Sequence, residues 1–316
     1  MKVLITGITG FVGSHLAEYL LEQEVEVYGI SRWRSKMENI EHLGSRLQLL
    51  NADIRDPFSM KEAVAKTNPD YIFHLASQSY VPESWRAPHE TLYTNIIGTL
   101  NVLEAVKQVG CDSVIQVAGS SEEYGLVLEG ELPVKESNPL RPISPYGVSK
   151  VTADLLARQY FVSYGLKTIV SRCFNTEGPR RGEVFTPSRH AKRMAEILKG
   201  KSKPVWELGN MDAERDFTDV RDVVKALWLL VNKCKYGEVY NICSGKSYKM
   251  MFIVDYLVHT TGIKVKYVTN LTLMRPSDVP RLLGDYSKFR SVTGWTPTIP
   301  FEKTLDDLLK YWLEKV

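Results

Sequence analysis

The sequence has few of the features that mark secreted, membrane-inserted or metal-binding proteins. Only four cysteines occur in 316 residues, and none forms a CxxC pair or has a histidine at metal-ligand spacing. No apolar stretch approaches the ~20 residues needed to cross a bilayer, and no secretory leader is visible. We therefore expect reduced cysteines, no metal site, no membrane association and a cytoplasmic location.

An excess of charge of one sign is also missing. Forty Lys and Arg against 37 Asp and Glu leave a formal charge of +3, which is too small to indicate a nucleic-acid partner. The 44% hydrophobic and 24% charged residues are typical of a packed globular protein. A chain of this length exceeds one ordinary hydrophobic core, so two lobes are predicted.

Short β-branched runs alternate with amphipathic stretches through the first two thirds of the chain. This order predicts an α/β fold with a doubly wound parallel sheet. Strands are predicted over residues 2–6, 25–30, 47–51, 71–75, 113–118 and 167–173, and helices over 11–23, 59–67, 91–109 and 149–164. Beyond Pro179 the pattern changes to loops, isolated strands such as 239–242 and a terminal helix over 305–313. We predict a large domain over 1–178 and a smaller α/β lobe over 179–316.

A glycine-rich segment directly follows the first predicted strand and opens the first predicted helix. It reads Gly7-Ile8-Thr9-Gly10-Phe11-Val12-Gly13. Glycines here permit a tight turn, close approach of a pyrophosphate and close helix packing, while the helix N-terminal amides bind the anion. Such a turn can be purely structural, but its place at the start of a βαβ pattern favours dinucleotide binding.

The residues after the second predicted strand indicate which nicotinamide cofactor binds. An acidic residue there would accept hydrogen bonds from a ribose 2′-hydroxyl and repel a 2′-phosphate. No acid is present, and four residues offer phosphate ligands: Ser31, Arg32, Arg34 and Ser35. We therefore predict NADP as cofactor, with an ordinary basic surface loop as the alternative.

Two further segments lie where a doubly wound sheet presents its carboxyl ends to a ligand. Asp53 and Ile54 follow the third predicted strand, and Leu75-Ala76-Ser77 closes the fourth. We expect both segments at the cofactor, with Asp53 near the adenine. A single Asp after a strand is also a common turn or cap residue.

Tyr146 and Lys150 are four residues apart and therefore share one face of a helix. A free phenol has a pKa of about 10 and is a poor base near neutrality, but a nearby ammonium stabilises the phenolate. Ser120, after the fifth predicted strand, is placed to hydrogen-bond the same substrate hydroxyl, or else only caps a turn. Glu122 supplies a second candidate acid/base, or else is a solvated loop carboxylate.

The glycine motif, Ser120, the Tyr146/Lys150 pair and Phe174-Asn175 together resemble extended short-chain dehydrogenases acting on nucleotide sugars. The match spans essentially the whole chain. Within that superfamily, residues 32–43 are similar to the NADP-binding segment of GDP-mannose 4,6-dehydratases, and residues 76–81 are similar to their AQSHV stretch. The resemblance implies that the family's catalytic Thr, Glu, Tyr and Lys have counterparts in this chain, namely Ser120, Glu122, Tyr146 and Lys150.

The resemblance also implies a GDP-hexose substrate bound mainly by the C-terminal lobe. Asn175 and Arg189 would meet the sugar nucleotide, and Arg215 and Arg275 its diphosphate. The further residues expected at the substrate are Ser79, Ser120, Ser121 and Asp278. Subunits in this family pair through the helices matching 91–109 and 149–164, so we expect a homodimer or homotetramer.

Some motifs depart from the dehydratase pattern. The family's NHES is here residues 175–178, its RDW is residues 215–217, and the second half is shorter. These segments also resemble GDP-4-keto-6-deoxy-mannose reductases. The leading hypothesis is GDP-mannose 4,6-dehydration, followed by the reductase and then a nucleotide-sugar 4-epimerase. A catalytically silent NADP-sensing protein is the alternative from another class.

Overall fold

The computed structural model describes residues 1–273 and 279–316, so Arg275 and Asp278 lie outside the described residues. In chain order the strands are β1 (Lys2–Thr6), β2 (Glu26–Ser31), β3 (Leu47–Asn51), β4 (Tyr71–His74), β5 (Val114–Ala118), β6 (Lys167–Cys173), β7 (Asn175–Glu177), β8 (Val205–Leu208), β9 (Glu214–Asp219), β10 (Val239–Ile242), β11 (Ser247–Lys249), β12 (Lys266–Thr269) and β13 (Arg281–Leu282). The α-helices are α1 (Phe11–Glu22), α2 (Pro57–Thr67), α3 (Val81–Arg86), α4 (Pro88–Leu92), α5 (Gly98–Val109), α6 (Pro145–Tyr164), α7 (Thr186–Leu198), α8 (Val220–Lys233), α9 (Met250–Thr261), α10 (Ser287–Thr293) and α11 (Phe301–Lys315).

Seven parallel strands form the large sheet, in the order β3-β2-β1-β4-β5-β6-β10. The predicted doubly wound α/β fold is confirmed, and each predicted strand is present with bounds within one residue. The strand order changes direction between β1 and β4, because β2 and β3 lie on one side of β1 and β4, β5 and β6 lie on the other. In such sheets a crevice opens at this point, outside the carboxyl ends of the strands.

Helices cover both faces of the large sheet because its strands are apolar on both sides. On β1, Val3 and Ile5 point to the face covered by α1, α8 and α10, whereas Leu4 points to the opposite face covered by α2, α5 and α6. All three side chains are fully buried. This near-continuous apolar pattern is expected for parallel strands buried on both faces.

Helix α6 begins four residues earlier than predicted. The Ser144 hydroxyl accepts a hydrogen bond from the Gly147 amide at 3.0 Å, and Pro145 occupies the first helical turn. Both features stabilise a helix start. Tyr146 and Lys150 therefore both lie within the helix, one turn apart.

The smaller lobe contains more helix than the sequence pattern predicts. Helices α7, α9 and α11 pack around Trp206, Phe217 and Phe301 in a separate apolar core. Two elements from beyond residue 178 return to the first lobe, since α8 packs on α1 and β10 extends the large sheet. The functional roles expected for 1–178 and 179–316 stay a prediction. No helix within residues 1–273 or 279–316 is long and apolar enough to cross a membrane.

Candidate active site

One cleft of about 670 Å³ lies between the carboxyl edge of the large sheet and the smaller lobe. It brings together most of the predicted site residues. Those that line it are Gly7, Thr9, Gly10, Phe11, Val12, Gly13, Arg32, Ser35, Asp53, Ile54, Leu75, Ala76, Ser77, Ser79, Ser120, Ser121, Glu122, Tyr146, Lys150, Asn175, Arg189 and Arg215. Ser31 and Arg34 are described but do not line it. The Arg34 guanidinium instead lies 4.0 Å from the Trp33 ring centroid.

The glycine turn is too tight for side chains at two of its positions. Gly7 has a φ of +74°, and a Cβ there would lie 2.8 Å from the Ala76 backbone nitrogen. A Cβ on Gly13 would lie 2.3 Å from the Gly7 carbonyl oxygen. Gly10 is the N-cap of α1 and offers no side-chain acceptor to the first-turn amides. These amides border the cleft, so the turn fits a dinucleotide pyrophosphate.

Arg32, Ser35 and Asp53 line the cleft just after the ends of β2 and β3. The Arg32 amide donates to the Ser35 hydroxyl at 3.1 Å, which shapes the loop after β2. Asp53 binds Arg55 through both carboxylate oxygens, and these hydrogen bonds lower the pKa of the Asp53 carboxyl. Asp53 therefore makes local contacts of the kind expected for a turn residue, which was the alternative role given in the sequence analysis. Its proximity to the adenine stays a prediction.

Ser120, Tyr146 and Lys150 meet where β5 and α6 approach each other. The Lys150 ammonium donates to the Ala118 carbonyl at 2.9 Å and lies 5.8 Å from the Tyr146 ring centroid. Burial lowers the pKa of Lys150 to about 8. Burial also raises the pKa of the Tyr146 phenol, and a hydrogen bond with Ser120 acts in the opposite direction. Ser120 and Lys150 therefore flank the phenol, where each can stabilise its deprotonated form.

A short π-helical turn over Tyr93–Ile97 supports this helix from behind. The buried Asn95 amide donates to the Ser149 hydroxyl at 2.9 Å, and Ser149 donates to the Tyr146 carbonyl at 2.6 Å. Asn95 also accepts from the Gln78 amide at 2.8 Å. The predicted single helix over 91–109 is interrupted here, and π-turns of this kind are frequent at functional sites.

Glu122 lines the cleft beside the phenol. Its amide donates to the Ser120 hydroxyl at 3.2 Å, and its side chain is half-buried. The negative charge of Glu122 contributes to the raised pKa of Tyr146, so the two groups are electrostatic neighbours. The site therefore holds a carboxylate in addition to the Ser, Tyr and Lys set.

Sequence reasoning missed a charged pair in the cleft. The Arg181 guanidinium lies 3.3 Å from the Phe185 ring centroid and its Nε lies 3.7 Å from a Glu177 oxygen. Burial raises the pKa of Glu177 to about 7. The adjacent Arg180 faces away and binds Glu18 at 2.7 Å. The repeated arginine was the available signal, but the sequence does not tell which of the two enters the cleft.

The residues predicted to meet the substrate include Asn175 at the start of β7 and, from the smaller lobe, Arg189 and Arg215. Asn175 donates to the Asp216 carbonyl at 3.3 Å, and the buried Arg215 donates to the Val279 carbonyl at 2.7 Å. The charge of Arg189 contributes to the lowered pKa of its neighbour His190, after burial. Within the described part of the chain, no cluster of His, Cys, Asp or Glu is suited to hold a metal ion.

A doubly wound parallel sheet, a glycine-rich first turn and a Ser, Tyr and Lys set in one cleft define an extended short-chain dehydrogenase/reductase. A solved structure described as RMD from Pseudomonas aeruginosa complexed with NADPH superposes with a TM-score of 0.86 at 32% identity, covering 100% of this chain and 99% of that chain. The fold and the sequence therefore place the chain in the same enzyme superfamily.

A sequence model of the GDP-mannose 4,6 dehydratase family matches residues 4–308, and the chain belongs to this family. The GDP-6-deoxy-D-mannose reductase of Pseudomonas aeruginosa is 32% identical over 315 residues, covering 100% of this chain and 98% of the relative. The GDP-mannose 4,6-dehydratase of Vibrio cholerae is 32% identical over 353 residues, covering 99% and 93%. The resemblance stated from the motifs is confirmed.

Proposed function

We propose that this protein is an NADP-dependent GDP-mannose 4,6-dehydratase that forms GDP-4-keto-6-deoxy-mannose. The observation that carries the proposal is the position of Glu122 in the same cleft as Ser120, Tyr146 and Lys150. A dehydratase needs a base for the C5 proton in addition to the groups that act on the C4 hydroxyl. Glu122 is the half-buried carboxylate next to the phenol and fits that requirement.

The reaction divides among the residues as follows. Tyr146 takes the proton of the C4 hydroxyl, Ser120 hydrogen-bonds the same oxygen, and Lys150 stabilises the phenolate. The glycine-rich turn after β1, together with Arg32 and Ser35, would hold NADP, which would supply the hydride acceptor for C4 and the hydride donor for C6. The ketone at C4 acidifies C5, so Glu122 takes the C5 proton and passes it to the C6 hydroxyl, which leaves as water. Once hydride is on C6, C5 takes up one proton from solvent, and Tyr146 releases to solvent the proton that it received from the C4 hydroxyl.

The proposal is tested by incubating the purified protein with GDP-mannose and NADP⁺ and following the sugar nucleotide by mass spectrometry. Loss of one water from GDP-mannose is expected. Recovery of unchanged GDP-mannose from a protein that binds both ligands would contradict the proposal.

A second candidate, the GDP-4-keto-6-deoxy-mannose reductase, is favoured by the sequence alignments. The reductase relative aligns with the whole chain over 315 positions, whereas the dehydratase alignment runs over 353 positions against 316 residues and so opens gaps in this chain. A reductase needs Ser120, Tyr146 and Lys150 but no C5 base. Stoichiometric NADPH consumption with the 4-keto sugar would support this candidate.

Preference for NADP(H) over NAD(H) is proposed from the loop after β2. Arg32 and Ser35 line the cleft, no acid follows the strand, and the Pseudomonas aeruginosa relative was solved with NADPH. Arg32→Ala should weaken NADP⁺ binding toward the affinity for NAD⁺, because the charge-assisted bonds to the 2′-phosphate are lost. Titration of each cofactor by calorimetry measures the ratio.

Lys36→Ala is the matched control for this loss of charge, since Lys36 is exposed in the same loop and does not line the cleft. It should leave the cofactor ratio unchanged. Equal or tighter binding of NAD⁺ by the unaltered protein would contradict the proposed preference.

Assembly into at least a homodimer is proposed from the outer face of α6. Val148, Leu155 and Val162 recur every seven residues and are 44%, 55% and 71% exposed. Such an apolar stripe is suited to a helix–helix interface. Light scattering at micromolar concentration should give at least twice the monomer mass, and Leu155→Glu should lower it. A monomeric mass for the unaltered protein would contradict the assembly.

A further inference from the structure

A buried arginine joins three segments that carry or border the proposed catalytic residues. Arg172 lies on β6, and its Nε donates to a Glu123 oxygen at 3.0 Å, while its NH2 group lies 2.7 Å from an Asp154 oxygen. The three side chains are 6%, 0% and 7% exposed. Glu123 belongs to the loop after β5, and Asp154 belongs to α6.

The second oxygen of Glu123 accepts a hydrogen bond from the Ser120 backbone amide at 2.7 Å. The position of Ser120 therefore depends on a side chain that is fully buried and does not line the cleft. Gly119 leaves room for this contact, since a Cβ there would lie 2.6 Å from the same Glu123 oxygen. Glu122 and Glu123 thus face opposite sides of one short turn.

Arg172, Glu123 and Asp154 form a network of buried charged side chains. Through Asp154 this network contacts α6, the helix that carries Tyr146. Tyr146, Lys150 and Asp154 recur every four residues and share one face of α6. Arg172 contacts both Glu123 and Asp154, so it ties the loop of Ser120 to this helix face. The Arg172 NH1 group also donates to the buried Tyr124 hydroxyl at 3.1 Å, which closes the network on a third side.

We propose that Glu123 is a positioning residue, which fixes the Ser120 hydroxyl relative to the Tyr146 phenol by holding the Ser120 amide. This inference rests on one part of the proposed function, namely that Ser120 and Tyr146 act on the same substrate hydroxyl. Dehydration and keto-sugar reduction share that step. What the Ser120 amide needs from Glu123 is an oxygen acceptor at this distance, not a charge. Burial and then the Asp154 carboxylate raise the pKa of Glu123 to about 8, whereas the Arg172 guanidinium acts in the opposite direction.

Two substitutions at Glu123 separate the effect of side-chain length from the effect of side-chain charge. Glu123→Gln keeps the side-chain length and an oxygen for the Ser120 amide, whereas Glu123→Asp keeps the acid but is shorter by one methylene, about 1.5 Å. A displacement of 1 Å in an active site can cost about 10²-fold in rate. We expect Glu123→Asp to lose at least about tenfold in kcat with KM for the sugar nucleotide within about twofold. Glu123→Gln should lose less than Glu123→Asp, because its oxygen still accepts from the Ser120 amide although its NH2 group then faces the Arg172 Nε donor.

Each variant is assayed as the full chain, in whichever of the two reactions the parent performs, with circular dichroism to verify folding. Gly119→Ala is a second route to the same displacement and should mimic Glu123→Asp. Glu62→Gln, an exposed carboxylate on α2, is the control and should match the parent.

A purely structural ion pair with Arg172 predicts the reverse order, with Glu123→Asp more active than Glu123→Gln, and that order would overturn the proposal. Parent-like kcat in both Glu123→Asp and Gly119→Ala would overturn it as well. If Glu123→Asp does not fold, Gly119→Ala is compared with Glu123→Gln. The added Cβ also lies 3.0 Å from the Ser171 carbonyl oxygen, so only a loss in Gly119→Ala that exceeds the loss in Glu123→Gln supports the proposal, and an equal or smaller loss overturns it. A folded parent that performs neither reaction contradicts the proposed function instead, which keeps the two failures distinct.

Discussion

Tyr146→Phe is expected to lower turnover of GDP-mannose by about 10²–10⁴-fold, the usual contribution of a general acid/base group. The substitution removes one oxygen and leaves a ring of nearly the same shape in a buried position. Because Tyr146 is proposed to take the proton of the C4 hydroxyl, the variant should fail before hydride leaves C4. Single-turnover absorbance of bound nicotinamide should therefore show no reduction.

The phenol of Tyr146 is buried beside the Lys150 ammonium. Burial raises the pKa of Tyr146, and Lys150 lies 5.8 Å from its ring centroid with a hydrogen bond to the Ala118 carbonyl. Tyr164→Phe, at the exposed end of the same helix, is the matched control and should keep full activity. Parent-like turnover in Tyr146→Phe would show that another residue deprotonates the hydroxyl.

Glu122→Gln should reduce dehydration by about 10²–10⁴-fold while oxidation at C4 continues. The amide keeps the size of the side chain but cannot take the C5 proton. In the proposed mechanism oxidation depends on Tyr146, Lys150 and Ser120, so reduced nicotinamide and the 4-keto-hexose should accumulate. The measurement is single-turnover absorbance combined with exchange of the C5 hydrogen in deuterated water.

Glu129→Gln is the control for this variant, because Glu129 lies in the next short turn and its side chain is 79% exposed. It should retain both turnover and C5 exchange. Should Glu122→Gln also retain full turnover and full exchange, Glu122 is a bystander, and the reductase or epimerase hypothesis replaces the dehydratase.

The large sheet could be predicted closely because its signals are local. Buried parallel strands are short β-branched runs, and the strands at 2–6, 47–51 and 167–173 have the predicted bounds. The helices of the smaller lobe were less visible. In α7 the sequence TPSRHAKRMAEIL carries four basic residues, and its apolar side chains become a core only when α9 and α11 pack against them.

In the candidate site too, contacts between residues close in sequence could be predicted, and contacts between residues far apart in sequence could not. Tyr146 and Lys150 are one helical turn apart, so their spacing alone predicts that they share a face. Glu123, Asp154 and Arg172 are far apart in sequence and meet only because β5, β6 and α6 are neighbours in space. No pattern within one segment indicates such a network.

Basic residues in loops were the hardest to place from the sequence. Arg32 lines the cleft, whereas Arg34, two positions after it, stacks on the exposed Trp33 ring. Likewise Arg181 enters the cleft and Arg180 binds Glu18. Tertiary contacts determine which neighbouring partner a long flexible side chain binds, and the composition of the loop does not indicate that partner.

The stoichiometry of the cofactor tests the proposed dehydratase most directly. The unaltered protein is mixed with excess GDP-mannose and a small, catalytic amount of NADP⁺, and both product and nicotinamide absorbance are followed. We expect many turnovers to the 4-keto-6-deoxy sugar with no net cofactor reduction, because in the proposed mechanism hydride taken from C4 returns to C6. No turnover of GDP-mannose, together with stoichiometric NADPH oxidation when the 4-keto sugar is supplied, would contradict it.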